Sequence, residues 1–355
     1  MKLGLMLPNA NNGFIMSTNA PQYKPSHDFL KGLVQRAEHY GFEFALSLAK
    51  WRGAGGPREY WEYTLESLTL IASLAPVTER IKLIGSVGVP SIHPAVVAKM
   101  ASTIQDAADG RFMLNIVSGW NKSEYDQLGL WPGDEWYSRR YDYSTEYVQV
   151  LREFWETGES NFKGEFFQLN NARMKSVHDH PMPIVCAGAS DRGLRFTAEH
   201  GEYAFIMIAE GGVQGATQQN ERLLAAAEKA GRDVKSVGTI MIILGETDEE
   251  AEAKVQHFYD GADLEALEDW ASQAQLDVSG TTAQKLTQLR GSTLHNNELA
   301  VGSPETVARK LNAFRDVPGL EGLMLMFEDY PRDLETFGQK VMPLLEGVAT
   351  PVGTR

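Results

Sequence analysis

The chain is poor in cysteine and has no long apolar run. Cys186 is the only cysteine among 355 residues, so the chain can form neither an intrachain disulfide nor a multi-cysteine zinc site. The apolar run within residues 1–8 is too short for a signal-peptide core, and no later run approaches the roughly 18 apolar residues that span a bilayer. These absences fit a reducing compartment, and we expect a cytoplasmic protein.

Positive charge is also scarce. The chain carries 33 basic and 47 acidic side chains, a formal net charge of −14, which argues against a nucleic-acid groove or an anionic membrane surface as partner. Hydrophobic residues make up 43% and charged residues 23%, close to globular averages, so wholesale disorder is excluded. This balance favours a protein that handles small molecules.

Two common nucleotide-binding motifs are missing. No Gly-x-Gly-x-x-Gly follows a strand-like run and no P-loop motif occurs, so a nucleotide would have to bind by another route. The glycine-rich run Gly53-Ala54-Gly55-Gly56 opens no helix, and we interpret it as a flexible loop. His178-Asp179-His180 resembles a metal-binding pair. It lies in a polar loop before a strand rather than at a strand's carboxyl end, and we expect no metal.

Short apolar runs of strand length alternate with stretches of helical spacing. Eight such runs begin at Lys2, Phe42, Ile81, Arg111, Met182, Tyr203, Val237 and Leu320. The alternation predicts an α/β fold with a parallel sheet, and eight strands are the number that closes a (β/α)8 TIM barrel. An open doubly wound sheet is the alternative. We expect one barrel domain over residues 1–345 and a C-terminal tail over residues 346–355.

The spacing of the strands is uneven. Long insertions near residues 9–25, 118–181 and 245–319 follow the first, fourth and seventh predicted strands. All three leave carboxyl ends of strands, where barrel enzymes build their active sites. We therefore expect function on these loops.

Two segments carry candidate ligand contacts. The strand from Met182 runs into a Gly/Ala turn, and Ser190 then opens a helix whose free amides could hold a phosphate; a plain N-cap serine fits equally well. Asn115 lies inside an apolar strand, where a buried amide is tolerated only when it is hydrogen-bonded. Either a ligand or an internal backbone group would satisfy it.

Other polar residues lie near the same predicted barrel mouth. Ser86 is near the end of the third strand, and Lys50 follows the second, either as a solvated lysine or as a cation facing a negative ligand. Aromatic and basic residues cluster between Trp131 and Tyr143. Within that cluster Arg140 could clamp a phosphate, although an ordinary helix face with surface arginines explains the same residues.

Several longer runs resemble one known family. They are Asn11-Asn12-Gly13, Ala20-Pro21-Gln22-Tyr23, Ala37-Glu38-His39-Tyr40, Trp131-Pro132-Gly133-Asp134, Ser138-Arg139-Arg140-Tyr141-Asp142-Tyr143 and Cys186-Ala187-Gly188. With these runs the chain resembles the bacterial luciferase-like flavin monooxygenases, a family of (β/α)8 barrels. Within that family it resembles the enzymes that open pyrimidine rings.

The resemblance implies an enzyme that receives reduced FMN from a separate NADH-dependent flavin reductase and uses O2 to open the ring amide of uracil or thymine to a ureidoacrylate. The positions it assigns to FMN are Ala49, Lys50, Asn115, Glu124, Arg140, Tyr141 and Ser190. It associates Ser86 and Asn115 with the oxygen site, and it places Lys50 and Trp120 beside the substrate. These four are the expected catalytic residues. Members of the family usually form homo-oligomers, which we also expect here.

The third strand departs from the pyrimidine enzymes. Its exit, Ser86 to His93, keeps a hydroxyl but has less threonine and adds a histidine that is typical of the broader family. Another cyclic amide or N-heterocycle, up to the size of an isoalloxazine, is therefore an alternative substrate. A deazaflavin-dependent hydride-transfer enzyme on the same fold is the alternative from another reaction class.

Overall fold

A computed structural model describes residues 1–175, 179–208, 211–276, 293–294 and 297–347. Most of the predicted C-terminal tail therefore lies outside the described residues. No helix in the described part of the chain combines the length and apolar character needed to cross a membrane.

Eight parallel strands form a closed ring. They are β1 (Lys2–Leu7), β2 (Phe44–Ser47), β3 (Lys82–Gly88), β4 (Phe112–Val117), β7 (Ile184–Ala187), β8 (Tyr203–Met207), β9 (Lys235–Leu244) and β11 (Leu320–Phe327). Neighbours pair in the order β1, β2, β3, β4, β7, β8, β9, β11, and β11 pairs back to β1. The closed ring confirms the predicted barrel and excludes the open sheet. Every predicted strand begins within two residues of an observed one.

Helices surround the ring and connect its strands. They are α1 (His27–His39), α2 (Ser67–Leu74), α3 (Pro94–Ala107), α4 (Lys122–Asp126), α5 (Trp136–Thr157), α6 (Asp191–His200), α7 (Gly212–Ala230), α8 (Asp248–Asp260), α9 (Leu264–Gln275), α10 (Pro304–Asn312) and α11 (Tyr330–Thr336). Side-chain oxygens cap several amino ends, as at Ser26 for α1 and Thr247 for α8. Such caps satisfy amides that have no partner within the helix.

Strand β10 was not predicted from the sequence. β10 (Glu298–Gly302) pairs in parallel with the second half of β9, from Ile240 onward. β9 is ten residues long, and β8 covers only its first half, so the second half would otherwise expose unpaired backbone groups. A further pair, β5 (Glu159–Ser160) and β6 (Ala172–Arg173), is antiparallel and lies in the connection after β4.

A carboxylate on α1 ties down the chain before β3. Oε1 of Glu38 accepts hydrogen bonds from the backbone amides of Glu79, Arg80 and Ile81 at 2.9, 2.6 and 2.9 Å. Burial raises the pKa of Glu38, but the three amide donors outweigh it, and the net pKa lies below its ordinary value. The charged form of Glu38 therefore stabilises the folded state.

Substituting Glu38→Gln should destabilise the protein at neutral pH by about 1–3 kcal/mol, because the three amides would then donate to a neutral oxygen instead of a charged carboxylate. A group with a lowered folded-state pKa stabilises above its unfolded pKa, and that contribution disappears as pH falls through the folded value. The difference in urea unfolding between wild type and variant should therefore shrink in acid. Glu79→Gln, at an exposed side chain of the same loop, is the control. A difference that stays constant from pH 7 to pH 3 would contradict this role.

Candidate active site

The predicted site residues gather at the carboxyl ends of the barrel strands. Asn115 on β4 pairs in register with Ser86 on β3, and Lys50 follows the end of β2. Ala49, Lys50 and Ser86 line one small cavity of about 70 Å³. Because parallel strands in a closed barrel present their carboxyl ends on one face, residues distant in sequence become neighbours there.

A serine network orients the Asn115 amide. The Ser86 hydroxyl donates to the carbonyl of Ser47 at 2.7 Å and accepts from Nδ2 of Asn115 at 2.9 Å. The Ser67 hydroxyl accepts from the Ser86 amide at 2.8 Å, which holds the serine in place. Oδ1 of Asn115 is buried and has no hydrogen-bond partner among the described residues. This oxygen is a directed acceptor suited to an N–H group of a ligand.

Lys50 and Glu124 form a buried ion pair. Nζ of Lys50 donates to Oε1 of Glu124, and the two side chains are only 4% and 8% exposed. Glu124 also accepts from Nδ2 of Asn121 and from the backbone amide of Trp51, each at 3.2 Å. The carboxylate is thus held by three donors. Lys50 is buried and faces Glu124, so it is not a solvated lysine, and its contact with a negative ligand stays a prediction.

Indole rings surround the Lys50 ammonium. Nζ lies 4.8 Å from the ring centroid of Trp270 and 5.7 Å from that of Trp61. The Trp120 ring meets Trp270 edge-on at 6.0 Å. Such contacts stabilise a cation and keep water away from it. The predicted substrate-side residues Lys50 and Trp120 therefore both adjoin Trp270.

The second group of predicted residues surrounds the start of α6. The Ser190 hydroxyl accepts from the Gly193 amide at 3.1 Å, so Ser190 is an N-cap, as the simpler interpretation held. A Cβ on Gly193 would lie 2.6 Å from Oη of Tyr141, and one on Gly188 would lie 3.0 Å from it. The two glycines therefore admit the Tyr141 phenol beside the helix start. Arg140, next to it on α5, is buried.

A serine pair links α5 to the end of β4. The Ser144 hydroxyl donates to the carbonyl of Arg140 at 2.7 Å and contacts the Ser118 hydroxyl at 3.3 Å. Ser118 directly follows β4, three residues after Asn115. The Arg140 segment and the Asn115 strand are therefore joined at the same face of the barrel.

Several residues of this site were not predicted from the sequence. Trp61 lies in the connection between β2 and α2, Trp270 on α9, and Asn121 before α4. The connection after β2 was not among the predicted insertions, although it holds Lys50 as well as Trp61. Tryptophans in connections that leave carboxyl ends of strands were the available signal.

The glycine-rich run in that connection is closely packed, which differs from the flexible loop that we predicted. Ala54 is buried, and its amide donates to the carbonyl of Tyr60 at 2.8 Å. A Cβ on Gly53 would lie 2.5 Å from that same carbonyl, so the close backbone approach requires glycine. The glycines serve packing, and the loop carries Trp61 to the site.

In the described ranges no group of three or more histidine, cysteine, aspartate or glutamate side chains is arranged to hold a metal ion. His178, the first residue of the apparent pair, lies outside the described residues.

Comparisons with known proteins match this architecture. The model of the luciferase-like monooxygenase family matches residues 1–320. The chain is 50% identical over 351 residues to pyrimidine monooxygenase RutA of Bradyrhizobium sp. (strain BTAi1 / ATCC BAA-1182), covering 97% of each chain. It is 46% identical over 350 residues to pyrimidine monooxygenase RutA of Enterobacter sp. (strain 638), covering 98% of this chain and 96% of the relative.

A solved structure confirms the fold. Riboflavin lyase (RcaE), crystallised with modified FMN and its substrate riboflavin, superposes with a TM-score of 0.84 at 19% identity. The superposition covers 99% of this chain and 94% of that chain. At this identity the likeness shows the fold alone.

Proposed function

The chain belongs to the luciferase-like monooxygenase family, and from this premise we propose that it is an FMN-dependent two-component monooxygenase that opens the ring amide of uracil or thymine. Relatives at 46–50% identity over almost the full length are named pyrimidine monooxygenase. The observation that carries the proposal is the buried Asn115 acceptor, oriented by Ser86, which lines the same cavity as Lys50. An acceptor and a cationic donor together complement the N–H and C=O groups of a lactam.

The residues present fit FMN. The free amides at the start of α6, with Ser190, Tyr141 and Arg140, form a donor set suited to a phosphate. Ala49, Lys50, Asn115 and Glu124 are the expected contacts of the flavin ring. When bound in reduced form, FMN supplies the electrons that activate O2.

The chain's own side chains supply charge, orientation and water exclusion. Lys50 is a fixed cationic donor for the negative charge that develops on the ring carbonyl oxygen under attack. Glu124 holds the ammonium in place, and Ser86 holds the Asn115 amide. Trp61, Trp120 and Trp270 keep bulk water from the Lys50 cation, which strengthens its electrostatic effect. These roles together favour cleavage of the adjacent C–N bond.

A separate reductase is part of the proposal. The chain has neither a Gly-x-Gly-x-x-Gly turn nor a P-loop, so it has no recognisable nicotinamide site of its own. An NADH-dependent flavin reductase would supply the reduced FMN.

The histidine that departs from the pyrimidine enzymes has a local structural role. Nδ1 of His93 accepts from the Ala95 amide at 3.2 Å and caps α3. Its ring packs edge-on against Phe167 at 5.4 Å. Helix capping and packing therefore account for His93, so this residue does not by itself argue for another substrate.

Oxygen uptake tests the proposed function. The purified protein, reduced FMN, an NADH-dependent reductase and uracil should consume O2 in proportion to uracil. With ¹⁸O2, one labelled oxygen should enter the ring-opened product. Uptake that is independent of every cyclic amide would reject ring opening. Turnover with a reduced deazaflavin in the absence of O2 would instead support the hydride-transfer alternative.

Gly193→Ala should weaken FMN binding by about tenfold or more, because the new Cβ displaces the Tyr141 phenol from the start of α6. Fluorescence titration with FMN measures this, and riboflavin, which lacks the phosphate, should be affected less. Gly32→Ala is the matched control, since that helical glycine has no atom within 4 Å of the added carbon. Equal FMN affinity in both variants would reject the phosphate site at α6.

A further inference from the structure

Helix α9 carries two buried side chains that each have a polar group and contact residues of the site. Trp270 and Gln273 lie one turn apart on its inner face and are 5% and 2% exposed. The helix belongs to the long connection after β9, outside the strands of the barrel. Neither residue has a role in the mechanism derived above beyond the contact of Trp270 with Lys50.

Trp270 is the residue that joins the two expected substrate neighbours. Its ring centroid lies 4.8 Å from Nζ of Lys50 and 6.0 Å from the centroid of Trp120. It meets the Trp61 ring at 5.5 Å and 90°, so the two indoles form a corner around the ammonium. Trp270 therefore contacts both residues that are expected to border the substrate.

Gln273 holds the helix in this position. Nε2 donates to the carbonyl of Gly53 at 2.9 Å and to Oδ2 of Asp269 at 2.6 Å, and both partners are acceptors only. Oε1 must therefore face Nδ2 of Asn121, from which it accepts at 2.6 Å. Asn121 in turn donates to Glu124, the partner of Lys50. One amide thus fastens α9 to the loops after β2 and β4.

We infer that Trp270 is a specificity-determining residue that limits the substrate to a small, flat, single-ring lactam, and that Gln273 positions it. The inference rests on the proposed function. A flat heterocycle beside an indole gains stacking energy, and the indole's volume excludes a second fused ring. Shortening Trp270 removes both effects.

The test measures binding as well as turnover. Uracil and the bicyclic quinazoline-2,4-dione are titrated calorimetrically into the protein with oxidised FMN bound, and kcat/KM is measured for each. Trp270→Ala should raise the Kd of uracil by roughly tenfold to a hundredfold, the size of a lost base-stacking contact. The affinity ratio of the bicyclic to the single-ring compound should rise by about tenfold or more, with the FMN Kd unchanged.

Matched variants separate this role from general structure. Trp270→Phe should shift the same ratio in the same direction by less. Trp155→Phe removes an indole whose Nε1 donates to Ala98 at the α3–α5 contact, and should leave both ligands unaffected. Gln273→Leu should raise the uracil KM more than it lowers kcat, because the pocket wall loses its anchor while Lys50 remains. If Trp270→Ala fails to fold, Trp270→Phe decides the question.

The outcomes separate a failure of the Trp270 inference from a failure of the proposed function. If uracil binds folded Trp270→Ala as it binds wild type, and the bicyclic compound gains nothing, the role of Trp270 is overturned while the proposed function stands. If wild type binds a different single-ring amide in place of uracil, the proposed substrate is wrong, and Trp270 is judged by the same ratio against that amide. If wild type binds no cyclic amide, both proposals are overturned.

Discussion

Asn115→Leu is expected to lower kcat for ring opening by about 10²–10³-fold while the protein remains folded. The substitution keeps the side-chain volume in an apolar strand but removes both the donor to Ser86 and the directed Oδ1 acceptor. Loss of one preorganised polar group at a reacting centre has an effect of this size. Steady-state kinetics with uracil, together with a thermal unfolding curve, measures the two quantities separately.

Two companion variants define what the Asn115 result means. Ser86→Ala removes the hydroxyl that orients the amide but leaves the amide itself, and should cost about tenfold, the value of one ordinary hydrogen bond. Asn220→Leu is the matched control, because the amide of this buried asparagine on α7 donates to the carbonyl of Ala216 and accepts from the hydroxyl of Ser236. It should alter stability and leave kcat near wild type. An Asn115→Leu enzyme within threefold of wild type would remove Asn115 from the mechanism.

Lys50→Met is expected to destabilise the protein by about 3–5 kcal/mol and to abolish most of its activity. The destabilisation follows because Glu124 would remain buried without its cation. The loss of activity, about 10²-fold or more, follows because the fixed donor for the developing oxyanion is removed. Urea unfolding and kcat are the two measurements.

A double variant separates these two effects. Lys50→Met combined with Glu124→Gln removes both charges and should recover most of the stability without recovering kcat. Lys122→Met is the control, because its ion pair with Asp126 is partly exposed, with Asp126 at 57%, and should cost less than about 1 kcal/mol. Wild-type turnover in the double variant would show that the Lys50 charge is not used in catalysis.

The barrel could be predicted because its signals are local. Each strand is a short apolar run bounded by turn residues, and the starts at Lys2, Tyr203 and Leu320 were located to the residue. β10 was missed because its pairing is set by β9. β8 ends before the second half of β9, and β10 pairs with that second half. Strand pairing of this kind depends on the tertiary arrangement and leaves little trace in a five-residue segment.

The site was predictable in part. The sequence left two options for Asn115, a ligand or an internal backbone group. The structure shows an internal partner for one end of the amide, a side-chain hydroxyl, and the ligand contact stays a prediction. Nδ2 bonds the Ser86 hydroxyl, whereas Oδ1 has no partner in the described part of the chain. For Ser190 the N-cap is visible, and the phosphate contact stays a prediction. A residue's type and strand position indicate that it needs a partner, but they do not say which one.

The local sequence pattern therefore determined which strand ends carry polar side chains, because apolar periodicity and turn residues act within a few positions of the chain. The tertiary structure determined which of those side chains contact one another. Glu124 reaches Lys50 across 74 positions, and Trp270 reaches the same ammonium from a helix more than 200 positions away. Such contacts form only when the ring closes and its connections fold over one face, because the ammonium's need for a counter-charge can be met from any part of the chain.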